Sequence, residues 1–361
     1  MTDIDYMKRA IQLAKKGQGF TNPNPMVGAV IVKDGRIIGE GYHKKYKELH
    51  AERNAIASLK EDAKGSTMYV TLEPCCHYGK TPPCTEAIIE NGISKVVIGS
   101  RDPNPLVAGK GVKILREHGI EVVCDFLKEE CDKLNPVFFH YITTKMPYVT
   151  MKYAMTCDGK IATKNNDSKW ITGENSRNEV QKMRHNNMGI VAGIGTVLAD
   201  NPMLNVRIEG LKSPIRIICD SNLRIPMESE IVKTANKYKT IIAYVNGDSD
   251  KINALEEVGL ILQKFSSKDG KVDLNELMQY LGEQNIDSIF VEGGANLNDS
   301  FMREGLVNRL EVFVAPKVFG GADARSPIEG MGVDFVSEAK EFSLENVRRI
   351  DEDILLSYVA G

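Results

Sequence analysis

The sequence contains no apolar run approaching the ~20 residues of a membrane-spanning helix, and its start, Met1-Thr2-Asp3-Ile4-Asp5, has neither the basic nor the apolar stretch of a secretory leader. No membrane partner is expected, and a cytoplasmic location is. A surplus of one charge is also missing. The 46 basic residues against 49 acidic ones leave a formal net charge of −3. This excludes a general polyanion-binding face, so nucleic acid is not an expected partner, while a local pocket for one phosphate stays open. Cysteines number only seven, an odd count without the density of a disulfide framework. Cys124, Cys131, Cys157 and Cys219 read as ordinary core thiols, and Trp170, the single tryptophan, reads as core. Neither an internal repeat nor a low-complexity tract is present.

A chain of 361 residues exceeds one average domain. In its first half, residues 3 to 16 carry apolar groups at helical spacing. Strand-like runs at 26 to 32 and 37 to 41 flank Asp34-Gly35, a hairpin signal. A helix from His50 to Leu59, short strands at 67 to 72 and 95 to 98, and helices after Cys84 and Gly109 complete an α/β pattern. They predict a mixed sheet with helices on both faces. The pattern pauses at Thr143-Thr144-Lys145-Met146-Pro147, dividing the chain into domains 1–145 and 146–361. The second half predicts another α/β domain. Its strands fall at 148 to 154, 190 to 193, 215 to 220, 240 to 245, 288 to 292 and 310 to 318, with helices at 174 to 186, 274 to 281 and 297 to 304. Gly247 to Lys271 is polar and lysine-rich and reads as a mobile surface region.

The most informative residues are His50-Ala51-Glu52, Pro74-Cys75 and Pro82-Pro83-Cys84. One neutral imidazole and two thiolates fill three tetrahedral positions of a zinc ion and balance its charge, leaving the fourth for a water. Glu52, two residues beyond His50, is placed to move that water's proton to a leaving amine. The combination describes a hydrolytic deaminase of nucleobase-like rings. Eight residues separate Cys75 from Cys84, more than zinc deaminases usually have, and Cys76 and His77 inside the gap compete as ligands; Cys76 is taken as a non-ligand. The bland alternative is a reduced cysteine pair beside a surface histidine, but the order H-x-E, P-C, P-P-C weighs against it. Prolines before both cysteines favour helix starts, where thiolates are stabilised.

In the second half, Gly193-Ile194-Gly195 lacks the third glycine of a dinucleotide fingerprint and is rejected as one. Val291-Glu292-Gly293-Gly294-Ala295-Asn296 is better: a strand meets two glycines and a helix start, where backbone N–H groups can approach a diphosphate. These residues support a phosphate-tolerant pocket and no particular redox step.

Asn24-Pro25-Met26-Val27-Gly28, the run from Thr71 to Cys84, Asp102-Pro103-Asn104-Pro105, Asp158-Gly159-Lys160, Ser168-Lys169-Trp170 and Asp200-Asn201-Pro202 add to these motifs. Together the chain closely resembles, over essentially its whole length, the bifunctional riboflavin-biosynthesis deaminase and reductase family, whose long Cys-to-Cys gap it shares. The resemblance implies a cytidine-deaminase-like first domain with one zinc on His50, Cys75 and Cys84 and Glu52 as proton shuttle. Asn24, His43, His77, Lys80 and Asn104 would meet its phosphoribosylaminopyrimidine substrate. It implies a dihydrofolate-reductase-like second domain using NADPH. Its cofactor contacts would be Ala154, Trp170, Thr196, Asp200, Ser221, Gly294, Ala295, Asn296, Leu297, Asn298, Asp299 and Ser300. Its substrate contacts would be Ser168, Arg184, Leu204, Arg207 and Glu292. Asn205 stands where the family usually has threonine. A homo-oligomer is expected. The competing function is a zinc deaminase of a nucleic-acid base with a non-catalytic C-terminal binding domain.

Overall fold

The computed structural model describes residues 1–78, 82–104 and 107–361, and the chain divides into two compact units, Met1–Lys145 and Met146–Gly361. The first unit runs α1 (Asp3–Ala14), β1 (Gly28–Lys33), β2 (Arg36–Tyr42), α2 (Ala51–Ala57), β3 (Thr67–Leu72), α3 (Cys84–Glu90), β4 (Lys95–Ser100), α4 (Lys110–Glu117), β5 (Glu121–Val123), α5 (Lys128–Asp132) and α6 (Pro136–Thr144). Asp34 and Gly35 both take positive φ, 48° and 72°, so the two-residue turn follows the twist of β1 and β2. The sheet order is β2-β1-β3-β4-β5, antiparallel across its first two pairings and parallel across the last two.

Strand periodicity sorts the core. Ala29, Ile31, Met68, Val70, Val96 and Ile98 face residues of α2, α3, α4 and α6, while Val30, Val32, Tyr69 and Val97 pack on α1. Helix α2 lies unusually close to β2 because Gly41 has no side chain. A Cβ there would stand 2.2 Å from the Ala55 nitrogen and 2.6 Å from the Ala51 oxygen. The start of α2, and His50 with it, is thereby fixed against the sheet.

The second unit contains β6 (Tyr148–Thr156), α7 (Glu174–Asn186), β7 (Gly189–Gly193), α8 (Ile194–Asp200), β8 (Ile215–Cys219), α9 (Glu230–Lys233), β9 (Thr240–Tyr244), α10 (Ser249–Glu257), β10 (Ile261–Lys264), β11 (Ser267–Lys268), β12 (Lys271–Val272), α11 (Leu274–Glu283), β13 (Ser288–Val291), α12 (Ala295–Arg303), β14 (Arg309–Ala315), β15 (Phe342–Ile350) and β16 (Asp353–Ala360). The main sheet is ordered β10-β9-β8-β7-β13-β6-β14-β16-β15, parallel from β10 to β14 and antiparallel beyond. Val149, Met151, Val191, Ile289 and Val291 face α11 and α12; Ile190, Ala192, Ile218, Ile242 and Phe290 bury the opposite face against α7, α8 and α10.

Two expectations need correction. Gly247 to Lys271 is ordered as α10, edge strand β10 and the β11–β12 hairpin. Asp248 caps α10 by accepting from the Asp250 and Lys251 N–H groups, and Leu255 and Leu260 anchor the segment in the core. Strand β14 stops at Ala315, before Pro316, instead of continuing to Val318, since proline has no N–H for the ladder. Among the described residues no helix is long and apolar enough to cross a membrane.

Candidate active sites

His50 is the extended residue that precedes α2, and Cys84 opens α3 directly after Pro83. Cys75 is not at a helix start, contrary to expectation; it lies in irregular chain after β3. That chain is held by Glu73, which accepts from the N–H groups of Gly109 and Val112 at the start of α4. Both cysteine sulfurs lie 3.5 Å from His50 Nδ1, and the three potential ligand atoms are within 4.8 Å of one another. Tetrahedral zinc, with bonds of about 2.3 Å to sulfur and about 2.05 Å to nitrogen, places those atoms about 3.6 Å apart. The donor chemistry and spacing therefore fit zinc. Cys76 and His77 do not belong to this cluster.

The electrostatics suit the same ion. Hydrogen bonding from Cys84, and then from His50, lowers the Cys75 thiol to about 4 against its burial, while Cys84 is pushed up by that shared bond and by burial. Glu52, only 3% exposed at the second position of α2, is pushed up to about 7 by burial and the Cys75 charge. A carboxyl near neutrality can both take and return a proton.

A cavity of about 260 Å³ reaches this cluster. Asn24, His43, His77 and Asn104 line it with His50, Glu52 and Cys75. His43 Nδ1 lies 3.0 Å from the Leu49 carbonyl and Nε2 3.2 Å from Asn24 Nδ2, which makes Nδ1 the donor and Nε2 the acceptor. Burial lowers its pKa and favours that neutral form. Lys80 lies outside the described residues. Asp102 was not anticipated; it lines the cavity, accepts from the Asn104 N–H at 2.8 Å and is pushed up to about 6 by burial.

In the second unit a cavity of about 1020 Å³ opens at the carboxyl ends of β6, β7, β8 and β13, the usual site side of a parallel sheet. Of the expected cofactor contacts, Ala154, Trp170, Thr196, Asp200, Ser221, Gly294, Ala295, Asn296, Leu297, Asn298 and Ser300 line it. So do Ser168, Arg184, Arg207 and Glu292. Leu204 and Asp299 do not. Leu204 is buried in the core, and Asp299 faces away on α12, paired with Arg303. Trp170 is 61% exposed, with the Arg177 guanidinium 4.7 Å from its ring centre, so it is a cavity wall and not core. Cys157 is likewise exposed, its thiol donating to the Lys317 carbonyl. Helix α12 has Gly294 as its cap and no side-chain acceptor for its first N–H groups, which leaves them to a ligand.

The sequence reading missed Lys152, which lines this cavity from the middle of β6. Its Nζ is 3.7 Å from Glu292 Oε1, and Arg184 Nε donates to Glu292 Oε2 at 2.6 Å. Burial lowers the Lys152 pKa although Glu292 opposes this. Glu292 is buried, which would raise its pKa, yet Arg184 and Lys152 keep it below the ordinary value.

Residues 147–356 match the family model for the RibD C-terminal domain, and residues 1–100 match the cytidine and deoxycytidylate deaminase zinc-binding region. The chain is 56% identical over 359 residues to riboflavin biosynthesis protein RibD of Actinobacillus pleuropneumoniae, covering 99% of this chain and 96% of that protein. It is 39% identical to the Escherichia coli RibD, with full coverage of both. The solved Acinetobacter baumannii RibD superposes with a TM-score of 0.90 at 39% identity, covering 99% and 98% of the two chains. A Thermotoga maritima structure, described as a diaminohydroxyphosphoribosylaminopyrimidine deaminase and 5-amino-6-(5-phosphoribosylamino)uracil reductase, gives 0.86 at 40% identity with the same coverage. Carrying both family regions in order and matching these proteins from end to end, the chain belongs to the RibD family of riboflavin biosynthesis proteins.

Proposed function

We propose that residues 1–145 hydrolyse the ring amine of diaminohydroxyphosphoribosylaminopyrimidine, releasing ammonia, and that residues 146–361 reduce the resulting 5-amino-6-(5-phosphoribosylamino)uracil to its ribityl form with NADPH. The observation that carries the proposal is the zinc-spaced His50, Cys75 and Cys84 cluster with buried Glu52 beside it in one cavity. The competing reading, a nucleic-acid base deaminase with a non-catalytic appendage, is set aside because the second half matches the family's own C-terminal model.

Zinc supplies a Lewis acid that makes water nucleophilic at neutral pH. His50, Cys75 and Cys84 hold it. Glu52 takes the proton of the attacking water and passes it to the departing amine. Asn24 gives its amide N–H to His43, which leaves its oxygen to accept from the substrate ring. His77, Lys80 and Asn104 meet the sugar and phosphate.

NADPH supplies the hydride for the second step, held along the α12 start and the cavity-lining contacts named above. Asp299 and Leu204 support that wall from behind. The Arg184 fork is engaged by Glu292 and by the Asn205 carbonyl, so Arg207 is the main phosphate donor. Reduction breaks the C1′–O4′ bond, with hydride arriving at C1′ and a proton at O4′. Lys152 provides that proton, and the burial that lowers its pKa makes it a better acid.

A homo-oligomer belongs to the same proposal. Met331, Val333, Phe335 and Val336 are exposed in the chain before β15, and Leu344 and Val347 are exposed on that edge strand. A cytoplasmic setting belongs to the same proposal, since seven cysteines in 361 residues lack the density of a disulfide framework. The direct test supplies the diaminopyrimidine phosphate with and without NADPH. Ammonia and the uracil should form without NADPH, and the ribityl product only with it; a product still carrying the ring amine would refute the first step.

A further inference from the structure

The cavity of the second unit carries cations at its β8 end that neither proposed step uses. Strand β8 ends at Cys219, and the next residue, Asp220, turns inward: it is fully buried and accepts from the Ile225 N–H at 2.8 Å. An acidic group facing the cavity at such a strand end would accept from the ribose 2′-hydroxyl of NADH, whereas a nearby arginine suits a 2′-phosphate. Here the residues presented to the cavity after Asp220 are Ser221, Asn222 and Arg224. The β11–β12 hairpin is tied to the same turn, because the Val272 N–H donates to Ser221 Oγ at 3.1 Å. That bond brings Lys271 to the cavity wall, where its Nζ reaches Ser300 of α12 at 3.3 Å. Among the described residues neither Arg224 nor Lys271 forms an ion pair, whereas Lys152 and Arg184 of the same cavity are both engaged by Glu292. Glu292 and Asp200, the acidic residues of the wall, are engaged by Lys152 with Arg184 and by Lys169.

We propose that Arg224 and Lys271 together read the 2′-phosphate of the dinucleotide and set the preference for NADPH over NADH. This rests on the reductase reading above. With the diphosphate at the start of α12 and the reacting end near Lys152 and Glu292, the adenosine end runs toward β8, where two unpaired cations meet a dianion. Arg224 offers its fork and Lys271 a point charge.

Equilibrium binding of NADPH, NADH and adenosine 2′-monophosphate to the full chain, followed by calorimetry, tests the assignment. Wild type should prefer NADPH and bind the 2′-monophosphate. Arg224→Ala and Lys271→Ala should each weaken NADPH roughly ten-fold or more, and the double variant on the order of a hundred-fold, with NADH unchanged. Arg224→Gln should recover little, since it restores size without charge. Equal weakening of both dinucleotides, or no change in either, would overturn the proposal while leaving the reductase intact. A wild-type chain that bound neither dinucleotide would instead sink the reductase reading, and the proposal with it.

Discussion

Replacing Glu292 by glutamine removes a negative charge from the point where two cations meet it, with little change in volume. The Arg184 and Glu292 side chains are 14% and 11% exposed, so solvent does little to screen the loss. Breaking a buried pair costs about 3–5 kcal/mol, and the lower end applies because Arg184 keeps its bond to the Asn205 carbonyl. For a domain of this size, about 3 kcal/mol lowers the melting temperature by roughly 6–12 °C. The pH dependence gives the sharper signature. Glu292 has a folded pKa below its ordinary 4.5, so its stabilisation is present above that value and is lost as pH falls through the folded one. Lys152 has a folded pKa below its ordinary 10.5, and in the variant it loses the carboxylate that opposes the shift. Its unpaired charge therefore becomes less costly as pH rises and the proton leaves. The deficit of Glu292→Gln should be largest near neutral pH and shrink on both sides, measured by calorimetry from pH 3 to 10 on wild type and variant. A deficit that is constant with pH, or absent, would refute the reasoning.

Three further outcomes follow from the sites. Glu52→Gln should keep one zinc per chain, measured by plasma emission, while ammonia release falls roughly 10²–10⁴-fold; retained deamination would remove Glu52 from proton transfer. Chelation should abolish deamination and spare NADPH oxidation with the deaminated substrate, and added zinc should restore the first activity. Gly41→Ala should cost the first unit roughly 3 kcal/mol, the upper end for overpacking, because the clash is with the backbone of α2 and no side chain can yield. Its zinc content should fall along with its melting temperature.

How much of this was legible depended on whether the signal was local. The Asp34-Gly35 turn and the helix start at Cys84 each act within a few residues, and each appears at its predicted place. His50, Cys75 and Cys84 are distant in sequence, yet few chemistries need one imidazole, two thiols and a following carboxylate, so composition stood in for geometry. Leu204 and Asp299 lie off the cavity lining for the opposite reason. Each neighbours true cavity residues, but a left-handed turn at Leu204 (φ 49°) and the 100° step of a helix at Asp299 send the side chains elsewhere. Trp170 was misplaced because hydrophobicity alone cannot separate a buried ring from one held at a cavity wall under Arg177.

The residue most worth finding, Lys152, did leave a trace in the sequence. It sits within Tyr148-Val149-Thr150-Met151-Lys152-Tyr153-Ala154, a strand of a parallel sheet covered on both faces, where an apolar run is the norm. A cation there must have a reason, but the strand does not say which. Arg216 in β8 shows the ambiguity: it too is a cation on an interior strand, and it is completely buried. Its donors go to the hydroxyls of Thr240 and Thr234 and to the carbonyls of Met203, Ile231 and Tyr238, and among the described residues no carboxylate pairs with it. Burial pushes its pKa down to about 10, which leaves it charged at neutral pH and spent on joining β8 to the α9 region. Lys152 differs in having one carboxylate partner that itself borders open space and a proton that burial makes easier to lose. What separates a structural cation from one that can do chemistry is the partner and the adjoining cavity; the partner, Glu292, follows β13, and the cavity is shared among the ends of β6, β7, β8 and β13, so neither can be read from the strand that carries Lys152.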